Sequence, residues 1–414
     1  MYPIIVFYAE NKINGYLLFP FTFQSGLRYE AFRPYGIILK GLFSKDNFIQ
    51  SYNGTFLNPR INLSFNITKN SQFRIGYGLT SKSPPMGMIF KNKAYFDIVD
   101  TVSVKNPQYP DSNFSFITTY IREQANPYIK GYTQKKYEIS FDQQFDFLGF
   151  SITAFLNDSK NMFNGFTEPI NLYKYSFPSW PEETNKFIKD TLIDSYIRYI
   201  NNSYNKVIGL EISLSTRKIK SINTIIRCDA SYYYTKSGSE NGFYYGSPRY
   251  VNSLGMKLMP IYRDFETYQK DFLLNYRFEI QPNDLGMWIT LHIQQKLIKI
   301  DGRRGYDDTL AIGYFDQNGK LILLNEESRY NSKFTEIRRK IEYYELFKEN
   351  KPNKWLINIK ITKTLWKGNA ISFYVNNLLN NRPLYKIKRR SPSSPSYERR
   401  NQEIFYGMEL IVRL

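Results

Sequence analysis

Asn58–Pro85 reads NPRINLSFNIT, then KNSQ, then FRIGYGLTSKSPP. Ile61, Leu63, Phe65 and Ile67 alternate with Arg60, Asn62, Ser64 and Asn66. Beyond the polar turn, Phe73, Ile75, Tyr77 and Leu79 alternate with Arg74, Gly76, Gly78 and Thr80. A period of two places one set on each face of a strand, so the stretch predicts an antiparallel hairpin with one apolar and one polar face. The same unit recurs along the chain. The fold class is therefore all-β, and the deciding question is which solvent the apolar face meets.

Working outward, the first strand is predicted over Ile4–Ile13, with Asn14-Gly15 as a two-residue turn into Tyr16–Phe32. A long loop, Arg33–Gly54, leads into the hairpin quoted above, and a long irregular segment, Pro84–Gly131, follows it. Tyr132–Phe145 pairs with Gly149–Met162, Tyr204–Thr216 with Ser221–Lys236, Tyr268–Ile280 with Leu285–Lys299, and Trp355–Leu365 with Ile371–Leu378. Phe405–Leu414 closes the chain. Two of the intervening excursions carry local signals. Ser179-Trp180-Pro181-Glu182 has the form of a capping box ahead of Phe187, Ile188, Leu192, Tyr196 and Ile200 at helical spacing, so a short helix is expected there. Asn318-Gly319 predicts a hairpin within Ile300–Lys354.

Connections alternate between short and long throughout, which puts short turns at one rim and long loops at the other. Transmembrane barrels have this asymmetry. Strands of about ten residues exceed the usual 5–6 of a soluble sandwich. A soluble barrel of about a dozen strands would be too wide for its own side chains to fill. The apolar face, including Phe19, Phe21, Phe23, Leu63, Phe65, Ile75 and Leu79, is thus expected on the outside against lipid. Arg28, Arg60, Asn62 and Arg74 are expected on the concave side.

Composition agrees with such a wall. The 414 residues show no linker or composition shift, and 36 Tyr and 32 Phe coexist with a mean hydropathy of −0.47. No apolar run approaches the roughly 20 residues of a membrane helix. MYPIIVFYAENK lacks the charged and small-residue features of a signal peptide. The net charge of +19 raises nucleic acid as a partner, but the basic residues are not gathered on one face, so none is expected. One Cys (Cys228) and one His (His292) assemble neither a disulfide nor a Cys/His metal or catalytic site. No enzymatic activity, catalytic residue, metal or cofactor is expected. Cys228 shares parity with Ile226, Ala230 and Tyr232 and reads as a small hydrophobe, and His292 reads as a polar residue of the inner face. Asp307-Asp308 is a cation contact or a solvated loop.

Six stretches in order carry a resemblance: SGLRYE at Ser25–Glu30, NPRINLSFNIT at Asn58–Thr68, FRIGYGLTSKSPP at Phe73–Pro85, KYEISFDQQF at Lys136–Phe145, SFYVNNLLNNRPLY at Ser372–Tyr385 and YGMEL at Tyr406–Leu410. Together they resemble the carboxy-terminal barrel of TonB-dependent outer-membrane receptors, in the subgroup that usually carries an N-terminal carboxypeptidase-regulatory-like domain. The resemblance implies that residues 1–414 are one portion of an antiparallel transmembrane barrel in the bacterial outer membrane. About thirteen strands are expected, against about 22 in transporters of this kind. It further implies import of a scarce nutrient, a metal chelate or an oligosaccharide, with coupling to the TonB complex through a plug that these residues lack. The competing class is a non-transporting structural or adhesive outer-membrane barrel.

Binding candidates lie in the long loops. Tyr173, Tyr175 and Trp180 fall in one, Tyr244, Tyr245, Arg249 and Tyr250 in a second, and Arg303, Arg304 and Tyr306 in a third. Aromatic rings and guanidinium groups offer stacking area and charge-assisted hydrogen bonds to a polar organic ligand. Surface loops and membrane-interface girdles use the same residues. The basic run Lys386, Lys388, Arg389, Arg390, Arg399 and Arg400 is suited to lipopolysaccharide phosphates, which with outer-membrane lipid completes the expected partners.

Overall fold

The computed structural model describes residues 4–32, 35–37, 48–50, 54–106, 109–180, 188–282 and 285–412. Thirteen strands lie on one continuous path, each antiparallel to its neighbours and following chain order. The first five are Ile4–Tyr16 (β1), Pro20–Phe32 (β2), Gly54–Thr68 (β3), Ser71–Lys82 (β4) and Tyr132–Gln144 (β5). Leu148–Trp180 (β6), Ile188–Thr216 (β7), Thr224–Ser239 (β8) and Glu266–Ile280 (β9) come next. Met287–Arg304 (β10), Lys354–Thr364 (β11), Ala370–Asn376 (β12) and Phe405–Ile411 (β13) complete the path. Short turns and long excursions alternate as the spacing predicts, except that the excursion between β6 and β7 is largely strand.

Register carries the alternation across the wall. Phe23, Leu63, Ile75 and Ile139 stand opposite one another on four successive strands, and the row continues through Ala154, Leu210 and Tyr232. On the other face Gln24, Asn62, Gly76 and Glu138 are in line, beside Ser64, Arg74, Ser140 and Thr153. That face is knitted by polar contacts: Arg74 Nη2 lies 2.8 Å from Asp142 Oδ2, Ser151 Oγ donates to Asp142 at 2.7 Å, and Thr153 Oγ1 donates to Ser140 at 3.0 Å. Depressions open on it, among them these two. One, of about 300 Å³, is bordered by Gln24, Asn62, Arg74 and Glu138; the other, of about 540 Å³, by Arg227, Asp229, Arg277 and His292. His292 thus sits where the sequence puts it. The opposite face leaves Ile75 42% and Ile139 52% exposed. In water such a face would forfeit the burial that holds a sheet together; against hydrocarbon it is at home.

The buried apolar clusters lie at the long-loop rim. One joins Phe32, Ile89 and Ile129; the other joins Val251, Leu258, Tyr262, Ala311, Tyr314 and Ile337. The wall itself is held by backbone ladders and cross-strand pairs.

Three local expectations are corrected. The first turn is not at Asn14-Gly15: β1 runs through both residues to Tyr16, Gly15 pairs with Phe21, and the turn is Leu17–Phe19. A Cβ on Gly15 would stand 2.6 Å from the Phe21 ring, so this glycine makes room for a cross-strand aromatic instead of bending the chain. The helix expected after Ser179 is absent over Ile188–Ile200, which continue β7. Residues 181–187 lie outside the described residues. The segment read as a loop from Asn164 to Ser203 is largely strand, because β6 and β7 stay paired to Ser176 and Ile188. The Asn318-Gly319 hairpin is present, with Gly319 at φ +82° between Ala311–Asp316 and Leu321–Leu323.

At its two ends the path is open. Among the described residues β1 pairs only with β2, and β13 only with β12. The two faces nevertheless persist to both edges. Ile5, Phe7 and Ile13 stand in line with Ala31, Tyr29 and Phe23, and Tyr406, Met408 and Leu410 with Val375, Phe373 and Ile371.

Opposite responses to charge are expected on the two faces. Leu63→Arg should cost about 2–4 kcal/mol near the bilayer midplane and impair folding into membranes. Asn62→Arg, one residue away on the inner face, should be tolerated. Heat-dependent gel mobility of membrane-extracted protein reads both, and equal damage from the two would refute the assignment of faces.

Candidate ligand-facing loops

Two long excursions, 240–265 and 305–353, fold together over the rim. Phe243–Tyr245, Arg249–Val251, Met256–Arg263, Ala311–Asp316 and Leu321–Leu323 form a second sheet of five short strands. Its apolar side is closed by Ile337, which is fully buried with Val251 and Leu258. Arg329 is buried beside this core and spends its guanidinium within it, on Asp308 at 3.2 Å, Glu326 at 2.9 Å and the Ala311 carbonyl at 3.2 Å. Asp308 is therefore half of an internal ion pair.

This cap sits on the extended part of β6 and β7. Asn171 Nδ2 donates to the Gln317 carbonyl at 2.7 Å, and Lys257 Nζ reaches Asp190 at 2.8 Å. Phe166 meets Phe243 and Tyr245 edge-on at 5.7 and 5.9 Å. A further hairpin, Ala94–Asn106 with Tyr109–Arg122, adds to the same extension. There Asp100 accepts the Tyr175 N–H at 2.6 Å, and Tyr120 Oη donates to the Tyr173 carbonyl at 3.0 Å.

Seven of the ten candidate residues are gathered at the cap or its junction with the wall. Tyr306 is sandwiched between Arg303 at 4.3 Å and Arg339 at 4.4 Å, with Phe265 edge-on at 4.8 Å. Arg339 also donates to Tyr244 Oη at 2.7 Å. Arg249 donates to Tyr262 Oη at 3.1 Å, and that hydroxyl donates to the Ile337 carbonyl at 2.9 Å. Burial holds the phenols of Tyr244 and Tyr262 above their ordinary value of 10.0, with the nearby arginines opposing. Arg304 leans on Tyr268 at 5.2 Å and donates to Tyr234 Oη at 2.8 Å. These side chains build the cap, and of the seven Tyr250, 57% exposed, and Arg304, 54% exposed at its side chain, are turned outward. Tyr173 and Tyr175 lie apart, on β6; Tyr173 stacks under Lys189 Nζ at 3.6 Å. Trp180 ends β6, and its side chain lies outside the described residues. Sequence reasoning passed over Arg329, Arg339 and Phe265, because their partners are remote in the chain and no local periodicity marks them.

The last long excursion is clamped by one carboxylate. Glu349, 5% exposed, accepts from Tyr385 Oη at 2.6 Å and from the N–H groups of Arg389 and Lys388 at 2.7 and 3.1 Å. Burial would raise its pKa, but these donors outweigh it and hold the carboxyl below the ordinary 4.5. Burial first, then the bond to Glu349, pushes the Tyr385 phenol up. Arg389 Nε donates to the Phe347 carbonyl at 2.7 Å, and Arg400 donates to the Pro352 carbonyl. The basic run is thereby divided. Arg389 and Arg400 hold the loop, whereas Lys386, Lys388, Arg390 and Arg399 stay exposed. In the hairpin Leu384–Lys386/Tyr397–Arg399, register puts Leu384, Lys386, Tyr397 and Arg399 on one face, and Tyr385 and Glu398 on the other.

An outward apolar face, a polar lined interior and folded long loops on one rim define an outer-membrane receptor barrel. Residues 6–378 match the family model described as TonB dependent receptor-like, beta-barrel, and the chain belongs to that family. The siderophore receptor PirA of Acinetobacter baumannii is similar in fold, at a TM-score of 0.50 and 13% identity over 99% of this chain and 54% of that one. The ferric enterobactin receptor PfeA of Pseudomonas aeruginosa, solved as a mutant, matches at a TM-score of 0.45 and 14% identity, over 92% of this chain and 49% of that one. The chain thus spans about half the length of the solved receptors it matches. No curated protein matches it in sequence.

The Glu349 clamp has a definite pH signature. Its carboxyl is depressed in the folded loop, so its stabilisation is present above 4.5 and is lost as pH falls through the lower folded value. Proteolysis of residues 380–402 should accelerate in that acid window in the wild type. In Glu349→Gln it should already be fast at neutral pH, after a loss of about 1–3 kcal/mol. Identical cleavage rates in the two proteins across the range would exclude the clamp.

Proposed function

We propose that these 414 residues form the later part of the wall of an energy-coupled outer-membrane importer, and that the cap on the long-loop rim meets its ligand. The observation that carries this reading is the cap itself. A second folded sheet with its own buried core stands on the extended β6–β7 ribbon, above a wall whose interior is polar and open. A purely structural wall has no use for so large an investment in folded loops. The substrate class favoured by the exposed aromatic and cationic side chains is a polar organic nutrient, a metal chelate or an oligosaccharide. Tyr250 and the exposed side of Arg304 are the foremost contacts. Energy reaches such a ligand through a plug in contact with the TonB complex.

Cells making only these residues should show no uptake that depends on the proton-motive force. Uptake should appear once upstream strands and a plug are joined in frame, and Tyr250→Ala should then raise the half-saturating ligand concentration several-fold. Force-dependent uptake by the 414 residues alone would contradict the reading.

Outer-membrane lipid is the second partner. The exposed face of Leu384, Lys386, Tyr397 and Arg399 alternates apolar and cationic groups, and Lys388 and Arg390 extend it. This suits the phosphates of lipopolysaccharide with the acyl boundary beside them. The double variant Lys386→Glu/Arg399→Glu should lose most of the lipopolysaccharide that copurifies with the protein, while Arg389→Ala should loosen the loop instead. Unchanged lipopolysaccharide in the double variant would dismiss this contact.

A further inference from the structure

Where β10, β11 and the last long excursion meet on the inner wall, we infer an oxyanion site built on Lys354, with Lys296 and Arg400 beside it. It takes a phosphate or carboxylate group of the nutrient. The inference deepens the importer reading and rests on it for the identity of the ligand. Register is the first ground. Lys354 stands directly opposite Lys296 on the polar face, four residues toward the long-loop rim from the paired His292 and Asn358. Like charges set opposite one another in a sheet repel, so two lysines in this register destabilise the wall unless an anion joins them. Lipid lies on the other face, so that anion comes from the interior.

Charge balance is the second ground. Elsewhere on the inner face Arg74, Arg277 and Lys360 each have a carboxylate partner, Asp142 at 2.8 Å, Glu279 at 2.9 Å and Glu409 at 2.8 Å. Around Lys354 the balance fails. Lys296 and Lys299 share Asp271 at 2.6 and 3.5 Å, Lys299 also reaches Asp301 at 3.4 Å, and Lys351 pairs with Glu398. Lys354 Nζ donates instead to the Arg400 carbonyl at 2.8 Å, and the Arg400 guanidinium donates to the Pro352 carbonyl. Neither cation has a carboxylate partner among the described residues. Glu349, whose strand pairs with Asp301, is directed at Tyr385 and at the N–H groups of Lys388 and Arg389. Five cations thus meet three carboxylates, and the two charges left over are those of Lys354 and Arg400.

Burial is the third. Arg400 is 9% exposed, and the side chains of Lys351 and Lys296 are 16% and 25% exposed. Water solvates such a surplus poorly, and a charge withdrawn from water without a counter-ion is costly. An oxyanion removes the surplus. Ammonium groups hold phosphate as point charges, and a charge-assisted hydrogen bond to a carboxylate or phosphate is about twice as strong as a neutral one. The site sits beneath the loop that the Glu349 clamp folds, so a ligand arriving from the cap meets it on entering the wall.

Lysine acylation of the membrane-extracted chain, read by mass spectrometry, tests the site with citrate and pyrophosphate as probes and chloride at equal ionic strength as the control. At least one probe should slow acylation of Lys354 several-fold and leave Lys360, already paired with Glu409, unchanged. By calorimetry Lys354→Gln should weaken that probe about tenfold, Lys354→Arg should restore most of the loss, and Lys360→Gln should bind as the wild type does. Should Lys354→Gln fail to fold, the footprint on the wild type and the Lys354→Arg variant decide. Equal protection of Lys354 and Lys360, protection of neither, or unchanged affinity in Lys354→Gln would each overturn the inference. So would protection of Lys354 by lipopolysaccharide and by neither small anion. Binding is read here without transport. Oxyanion binding by a receptor that imports nothing would leave the site standing and remove the importer reading, whereas import of a neutral nutrient with no oxyanion bound would remove the site alone.

Discussion

Peptide N–H and C=O groups have no partner in hydrocarbon, and the rest of this structure follows from that constraint. Each wall strand from β2 to β12 has two antiparallel neighbours, so its ladder is satisfied without water. Side chains are then free to sort by face alone. Phe23, Leu63, Ile75 and Ile139 face one way, and Gln24, Asn62 and Glu138 the other. Compact apolar cores of the kind a water-soluble domain needs occur at the loop rim, around Val251 and Ile337 and around Phe32 and Ile129. The molecule thus uses two physical strategies at two depths.

The candidate binding residues show how folded loops employ chemistry that a sequence advertises as recognition. Arg303, Arg339 and Tyr306 form a cation–aromatic stack, and Arg249 and Tyr262 a hydrogen-bonded relay to Ile337. Stacking area and rigid guanidinium geometry serve a protein's own loops as well as they serve a ligand. The set left exposed is smaller: Tyr250 and part of Arg304 at the cap and four of six cations in the last excursion.

Much of the wall was legible in the sequence, because a period of two survives wherever one face meets lipid and the other polar contacts. The positions of most wall strands and the inner place of His292 follow from parity, although the first turn and the extent of β6 and β7 do not. The cap was not legible. Its hairpin at Asn318-Gly319 announced itself through a turn that demands positive φ, but Arg329 and Ile337 join partners fixed only by the fold. Two signals misled for a physical reason. Gly15 looked like a turn residue yet gives space to the Phe21 ring, and Ile188, Leu192, Tyr196 and Ile200 have a spacing compatible with a helix, although residues of even number also share one face of a strand. Pairing with β6 decides between the two.

The pairing of β6 with β7, which continues past an irregularity at Ser159–Phe163, has a consequence for how the cell surface is seen from outside. From Phe163 to Ser176 the register is regular, which at about 3.3 Å per residue is about 43 Å of stiff two-stranded structure. A strand needs only about 9–11 residues to cross the membrane, and β6 has 33. The surplus stands outside it as a mast, carrying the cap on Asn171 and Phe166. A large molecule approaching the membrane from the long-loop side therefore meets the mast and its cap before it meets the lipid.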